Sequence, residues 1–150
     1  ERAWRPYHAV LGKTRDVDGY HDLTRYPDAE QTPGLLMVRW DAPLFFPNAN
    51  IFRKMIREQV AAASPTPFWV LIAAEPITDV DATAADMLVD LDEELNAAGI
   101  HLIFAELKDP VREKIERYGI YDTIDHRHFY PTLAVAVNAF ETETTEMASP

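Results

Sequence analysis

The sequence contains no cysteine, and this absence excludes two classes of site. Disulfide bonds and thiolate metal centres cannot form, and cysteine-free usage agrees with a reducing compartment such as the cytosol. The sequence also lacks the glycine-rich loops and catalytic signatures of common enzyme families: G-x-S-x-G, the P-loop, H-E-x-x-H and G-x-G-x-x-G. No pair of carboxylates is marked as a general acid and base. We therefore expect a protein that is not an enzyme.

Basic residues are few, with 14 Lys and Arg against 25 Asp and Glu, for a formal net charge of −11. Nucleic-acid binding needs clustered Lys and Arg that neutralise phosphates, so no nucleic-acid partner is expected. The same excess of acidic residues disfavours a polybasic attachment to anionic lipid.

Long apolar runs are missing as well. No run approaches the ~20 residues that span a bilayer, and no signal peptide is visible. The chain begins at Glu1 rather than Met, within the polar segment ERAWRPYH, which suggests a piece of a longer polypeptide. The 150 residues, 47% of them apolar, suit one folded domain with a substantial core.

Strand and helix patterns alternate along the second half of the chain. Residues 8–11 predict a short strand, and residues 12–34 a mostly irregular segment. The run LLMVRWDAPLFF predicts strand structure broken by Pro43, either as two strands or as one kinked strand, and it is compatible with a hairpin around residues 41–43. Helices are predicted over 48–62, over 83–98 with an end at Gly99, from Pro110 to Gly119, and from Pro131; FWVLIAA and IHLIFAEL are predicted buried strands.

Alternation of strands and helices implies right-handed crossovers and neighbouring parallel strands. The pattern therefore predicts an α/β domain in which helices pack against a mixed β-sheet. We divide the chain into a junction segment with a short N-terminal strand (1–34), a single domain (8–140) and a frayed C-terminal tail (141–150).

The stretch TDVDATAADML, residues 78–88, joins a predicted buried strand to a predicted helix. The simplest interpretation is local: Asp81 or Thr83 caps the helix, and Asp86 follows Thr83 by three residues as in a capping box. Carboxylates near a helix N-terminus are stabilised by its dipole by ~0.3–1 kcal/mol. Capping alone accounts for three acidic residues here.

Binding of a ligand is the alternative for this stretch. A helix N-terminus is suited to phosphate, but eight acidic residues and no basic ones lie between Glu75 and Glu94. A nucleotide would therefore bind through its base and direct its phosphates toward Lys108 or Arg112.

Two further interpretations use the side chains of the stretch. Phosphorylation of Thr83 would add a charge of about −1.5 to −2 beside existing acidic residues and displace an acidic partner. Asp79 and Asp81 are also candidates for Mg²⁺, together with Glu106 and Lys108 at the end of the next strand.

Consecutive aromatic residues, Phe45 and Phe46, precede the first predicted helix. Strand alternation would bury Leu44 and Phe46 and expose Phe45, or the reverse. An exposed aromatic here is a candidate partner contact.

Several short motifs resemble the junction and cytoplasmic domain of bacterial sulphate permease (SulP) family anion transporters. AVLG, DGYHD, RYPDAE, PGLL and DAPLFF followed by NA occur in the same order as in that family. The later IxDVDATAADML is similar to the signature of a STAS domain, which is found in sulphate transporters and anti-sigma-factor antagonists. The resemblance extends from about Tyr7 to Phe140.

The resemblance implies an α/β STAS (anti-sigma-factor antagonist-like) fold, a mixed sheet with helices packed largely on one side. It implies a C-terminal regulatory and interaction domain on the cytoplasmic face of the bacterial inner membrane. The implied partners are the transmembrane domain of the same polypeptide and other cytosolic regulatory proteins. No cofactor is required, although binding of GTP, GDP or ATP is implied at the loop that contains Asp79, Asp81, Thr83 and Ala84.

Stand-alone relatives provide the alternative function. In the implied alignment Asp81 matches the family's aspartate, Thr83 its phospho-acceptor serine and Ala84 the glycine that follows. The protein would then be an anti-sigma-factor-antagonist-like switch controlled by phosphorylation of Thr83.

Overall fold

The apolar runs form the centre of a mixed β-sheet. In this computed structural model residues 6–120, 124 and 126–148 are described, and their sheet has the strand order β2-β1-β3-β4-β5-β6. The strands are β1 His8–Lys13, β2 Tyr20–Asp22, β3 Leu35–Trp40, β4 Trp69–Ala73, β5 His101–Ala105 and β6 Phe129–Tyr130. The helices are α1 Ala49–Ala62, α2 Ala82–Ala97, α3 Asp109–Arg117 and α4 Leu133–Ala148.

Strands β3, β4, β5 and β6 run parallel, whereas β1 is antiparallel to both of its neighbours. Every residue of β4 is buried, as expected for a strand covered on both faces. The mixed sheet and its parallel second half confirm the predicted fold class.

Three helices pack on one face of the sheet and one on the other. Phe52 of α1, Leu91 of α2 and Val111 of α3 share a buried cluster with Trp40. On the opposite face Phe140 of α4 packs edge-on against Trp69, with ring centroids 5.2 Å apart. Helices therefore lie largely on one side, as the resemblance implied. Among the described residues, no helix combines the length and the apolar character needed to cross a membrane.

The predicted starts of the four helices lie within two residues of the observed starts. Helix α2 ends next to Gly99, whose φ of +80° is the left-handed conformation that glycine adopts at low cost. Helix α3 ends likewise two residues before Gly119, whose φ is +76°.

Segment 12–34 contains more structure than its sequence indicated. Residues Tyr20–Asp22 form β2 and pair with the end of β1, and an antiparallel bridge joins Lys13 to Glu30. The prediction of a mostly irregular segment missed this hairpin because three-residue strands carry no recognisable period.

The predicted hairpin around residues 41–43 is wrong. After β3 the chain makes a parallel bridge between Leu44 and Val80, and then a 3-10 turn, Phe46–Asn48, leads into α1. The buried Asn48 side chain donates to the Pro43 carbonyl at 2.9 Å. This hydrogen bond stabilises the path of the backbone into α1, so the chain does not reverse direction as a hairpin would.

The prediction of a frayed tail from residue 141 is also corrected, because α4 continues to Ala148. No proline or glycine interrupts residues 141–148, and the Thr144 hydroxyl donates to the Phe140 carbonyl one turn earlier at 2.9 Å. Residues 149–150 lie outside the described part of the chain.

Candidate functional site

Asp81 begins the candidate site by capping α2. Its backbone is extended, with φ −90° and ψ 174°, and its Oδ1 accepts a hydrogen bond from the Ala84 N–H at 2.8 Å. An aspartate at this position satisfies a backbone donor that has no partner within the helix. The structure thus selects Asp81, and not Thr83, from the two predicted caps.

The second oxygen of Asp81 reaches a different part of the chain. Asp81 Oδ2 accepts from the Phe46 N–H at 2.8 Å. Two backbone hydrogen bonds run alongside: Leu44 N–H to the Asp79 carbonyl at 2.9 Å, and Asp81 N–H to the Leu44 carbonyl at 3.1 Å. One carboxylate therefore joins the start of α2 to the segment that precedes α1.

Asp79 is held by a cation that sequence reasoning missed. Lys114 Nζ of α3 lies 2.5 Å from Asp79 Oδ1, which also accepts from the Val80 N–H at 2.9 Å. The hydrogen bond from Lys114 lowers the pKa of Asp79. No signal in the sequence pairs these residues, which are 35 positions apart, so only the packing of α3 reveals the contact.

Thr83 and Ala84 occupy the first turn of α2 in opposite environments. Thr83 is exposed, so its hydroxyl faces solvent two residues after the cap. Ala84 is completely buried, and its N–H donates to Asp81. Ala84 consequently serves packing and capping, whereas Thr83 is the accessible side chain.

The two predicted phosphate contacts have partners of their own. Lys108 Nζ lies 3.5 Å from Glu75 Oε2, and the Arg112 guanidinium lies over the Phe129 ring at 5.9 Å from its centroid. Lys108 and Lys114 therefore each neutralise one acidic residue on the β4–α2 connection. The cation next to Asp79 is Lys114, which the sequence analysis did not nominate.

The carboxylates considered for Mg²⁺ do not converge. Asp79 faces Lys114, Asp81 accepts from two backbone N–H groups, and Glu106 Oε2 accepts from the Leu133 N–H at 3.2 Å. Within residues 6–120, 124 and 126–148, no three His, Cys, Asp or Glu side chains are grouped to hold a metal ion. The arrangement thus favours structural roles for these carboxylates.

The aromatic pair before α1 follows neither alternation pattern. Leu44 is buried, Phe45 is half-buried and Phe46 is 72% exposed. The reason is that residues 46–48 form a 3-10 turn, so the period of two that strands show does not apply. Phe46, rather than Phe45, is the exposed aromatic.

Helix α2 carries a buried carboxylate that the sequence did not single out. Asp92 is 1% exposed, and its one hydrogen bond among the described residues comes from Asn96 Nδ2 at 3.2 Å. Burial raises the pKa of Asp92 to about 6. Asp92 follows the buried Leu88 by four residues and precedes the buried Leu95 by three, so the helical period places it on the apolar face. This signal was not used in the sequence analysis.

The model of the STAS domain family matches residues 26–136 of the chain. The chain belongs to the STAS domain family. This match confirms the resemblance drawn from the sequence motifs.

A curated relative of this STAS domain is a probable sulfate transporter of Mycobacterium tuberculosis. The two are 37% identical over 139 residues, which cover 93% of this chain and 25% of the relative. The chain therefore spans about a quarter of the length of that protein.

Two solved structures show the same fold. The murine Slc26a9 anion transporter in its inward-facing state matches 92% of this chain with a TM-score of 0.84 and 20% identity, through 22% of its own chain. The unphosphorylated anti-sigma factor antagonist SpoIIAA matches 75% of this chain and 93% of its own, with a TM-score of 0.60 and 14% identity. The antagonist-like fold expected from the resemblance is confirmed.

Proposed function

We propose that this STAS domain is a regulatory and interaction module, not an enzyme, on the cytoplasmic face of a bacterial sulfate-type anion transporter. The observation that carries the proposal is the 37% identity to a probable sulfate transporter over nearly the whole chain. Its partners would be the transmembrane domain of the same polypeptide and cytosolic regulatory proteins.

The chemistry of the site supports contact rather than catalysis. Asp79 and Asp81 are engaged in an ion pair and in hydrogen bonds that define the loop. A catalytic carboxylate needs a reacting group within hydrogen-bond reach, whereas these oxygens are directed at the protein's own donors. These contacts hold the connection between β4 and α2 in one defined shape, which suits a surface that contacts a partner.

Nucleotide binding belongs to the same proposal. A GTP, GDP or ATP molecule would place its phosphates toward the N-terminus of α2, where the helix dipole favours anions. Lys108 and Lys114 place two cations beside the β4–α2 connection, each already paired with a carboxylate of that connection. Amide NMR titration with each nucleotide tests this idea: saturable shifts confined to residues 75–86 support it, and a silent spectrum refutes it.

The transporter role is tested by sulfate uptake in cells that express the whole parent polypeptide. Removal of this domain is expected to reduce uptake at equal membrane abundance. Lys114→Met is the point variant of choice, because it releases Asp79 while the exposed pair contributes only about 0–1 kcal/mol to folding. Uptake that is independent of the domain would contradict the proposal.

A phospho-switch at Thr83 is the second candidate. Its support is the exposed hydroxyl on the first turn of α2 and the fold shared with an anti-sigma factor antagonist. Phosphopeptide mass spectrometry of the protein isolated from its host tests whether Thr83 is phosphorylated, with Thr83→Val as the control. Unmodified Thr83 under all growth conditions would reject it.

A further inference from the structure

The segment of residues 43–48, which ends in the 3-10 turn, exposes one aromatic side chain to solvent. Leu44 is only 1% exposed, whereas Phe46 is 72% exposed. Phe46 thus gains little from burial in the domain itself. A large apolar side chain displayed in this way gains its burial only against another surface.

The backbone on both sides of Phe46 is anchored. The Asn48 side chain, itself fully buried, accepts from the Phe45 N–H at 3.1 Å and donates to the Pro43 carbonyl at 2.9 Å. Asp81 Oδ2 accepts from the Phe46 N–H at 2.8 Å. Because the segment is already ordered, docking through the ring would cost little conformational entropy, which is a property of effective binding anchors.

One acidic side chain contacts the Phe46 backbone, and others follow it along α2. The Asp81 carboxylate lies directly beside the Phe46 backbone, and α2 continues with the exposed residues Asp86 and Asp90. Neither Asp86 nor Asp90 forms an ion pair with any residue that the structure describes. A complementary surface therefore carries an apolar pocket bordered by Lys or Arg.

We propose that Phe46 is the anchor by which this STAS domain docks in such a pocket on the membrane-embedded part of the same polypeptide. The inference rests on the proposed function and names the residue that makes the contact. The excess of acidic residues in this chain and the enrichment of Lys and Arg in cytoplasmic loops of membrane proteins make that part a complementary partner.

Asp81 also couples the anchor to the start of α2. Its Oδ1 receives the Ala84 N–H and its Oδ2 the Phe46 N–H, each at 2.8 Å. A ligand or modification that displaces the first turn of α2 moves the acceptor of the Phe46 N–H with it. One carboxylate therefore joins the backbone of the docking residue to the first turn of α2.

Photo-cross-linking in the parent transporter tests the docking site. The parent carries p-benzoylphenylalanine at position 46 or, as the control, at position 68, and is irradiated in native membranes. Phe68 is also exposed, at 52%. It lies just before the start of β4, whereas the connection that contains Asp79 and Asp81 follows the end of β4, so the two positions are at opposite ends of that strand. Position 46 is expected to cross-link to a peptide of the membrane-embedded part that contains Lys or Arg, and position 68 is not.

Three outcomes would overturn the inference: capture by position 68 alone, capture of a second copy of this domain, or capture by neither position. The proposed function has its own readout, the effect of removing the domain on uptake, so the two ideas fail separately.

Matched substitutions give the second measurement. Phe46→Ser is expected to lower uptake about fivefold or more at equal membrane abundance, whereas Phe46→Leu retains most of it and Phe68→Ser retains all. The isolated Phe46→Ser domain should unfold within about 2 °C of the unmodified domain, because the side chain is exposed. Full uptake by Phe46→Ser would refute the anchor.

Discussion

At the scale of single residues, the burial of Asp92 makes the stability of the domain depend on pH. Its carboxylate is buried on α2, and burial raises its pKa to about 6, against which the Asn96 hydrogen bond and the charge of His101 act. The nearby Glu93 raises the pKa further. The folded protein therefore binds this proton more tightly than the unfolded chain.

The sign of the pH dependence follows directly. With a folded pKa of about 6 and an ordinary value of 3.8, stability from this group is full below about pH 4 and falls as the pH rises toward 6 and above. The loss is at most about 3 kcal/mol. Asp92→Asn is expected to be more stable than the unmodified domain by ~1–3 kcal/mol near neutral pH and nearly equal to it near pH 4.

Urea unfolding from about pH 4 to about pH 8 measures this difference. Asp90→Asn is the matched control, because Asp90 is exposed on the same helix and should change little at any pH. A pH profile of Asp92→Asn that parallels the unmodified domain would show that Asp92 is not the group that titrates.

Asp81 matters through both of its oxygens. Asp81→Ala removes the acceptors of the Ala84 and Phe46 N–H groups and is expected to cost ~1–2 kcal/mol in the free energy of unfolding. Asp79→Ala breaks an exposed ion pair and should cost less than about 1 kcal/mol. Urea unfolding of the two variants side by side checks the order, and an Asp79→Ala cost equal to or above that of Asp81→Ala would contradict it.

At the scale of elements, α4 depends on its packing against the sheet. Its second half consists mostly of Glu and Thr and has little intrinsic tendency to remain helical alone, because Thr favours helix weakly. Phe140, which is buried against Trp69, holds the helix on the sheet at its middle.

Phe140→Ala is therefore expected to cost ~3–5 kcal/mol. Hydrogen exchange should then show early loss of protection along α4, whereas Val135→Ala, at an exposed position of the same helix, should change stability by less than about 0.5 kcal/mol. Amides of residues 144–148 that exchange freely in the unmodified domain would contradict a helix that reaches Ala148.

At the scale of the whole molecule, two apolar clusters share one sheet. Trp40 lies in the cluster under α1, α2 and α3, and Trp69 in the cluster under α4. Since β4 supplies Val70 to the first and Leu71 to the second, neither cluster can be lost without disturbing the other.

The domain is accordingly expected to unfold in one transition. Variants that keep a single tryptophan, either Trp40 or Trp69, with Phe at the other two positions, report the two faces separately by fluorescence in urea. In each variant the midpoint of the fluorescence transition is expected to equal the midpoint of the circular-dichroism transition, as two-state unfolding requires. Separate midpoints would show that the two faces unfold independently.

Local periodicity accounts for what the sequence alone determined. Some features depend on residues that are close together in the chain and can therefore be predicted without a structure. They are the α/β class, the bounds of α1 and α2, the end of α2 near Gly99 and the STAS motifs. The cap of α2 was likewise narrowed to Asp81 or Thr83 because capping chemistry is local, and the structure shows Asp81.

Only the tertiary structure decided the contacts between distant segments. Asp81 Oδ2 meets the Phe46 N–H across 35 positions and Lys114 meets Asp79 across the same separation, while the burial of Asp92 depends on how α2 is rotated against its neighbours. Residue type constrains such contacts weakly, because one carboxylate can serve as a cap, an ion-pair partner or a buried acid. The packing of α1, α2 and α3 on the shared sheet determines which role each carboxylate has. Carboxylates that look alike in the sequence from Asp79 to Asp92 therefore have different partners, and the exposed Phe46 lies beside one of them.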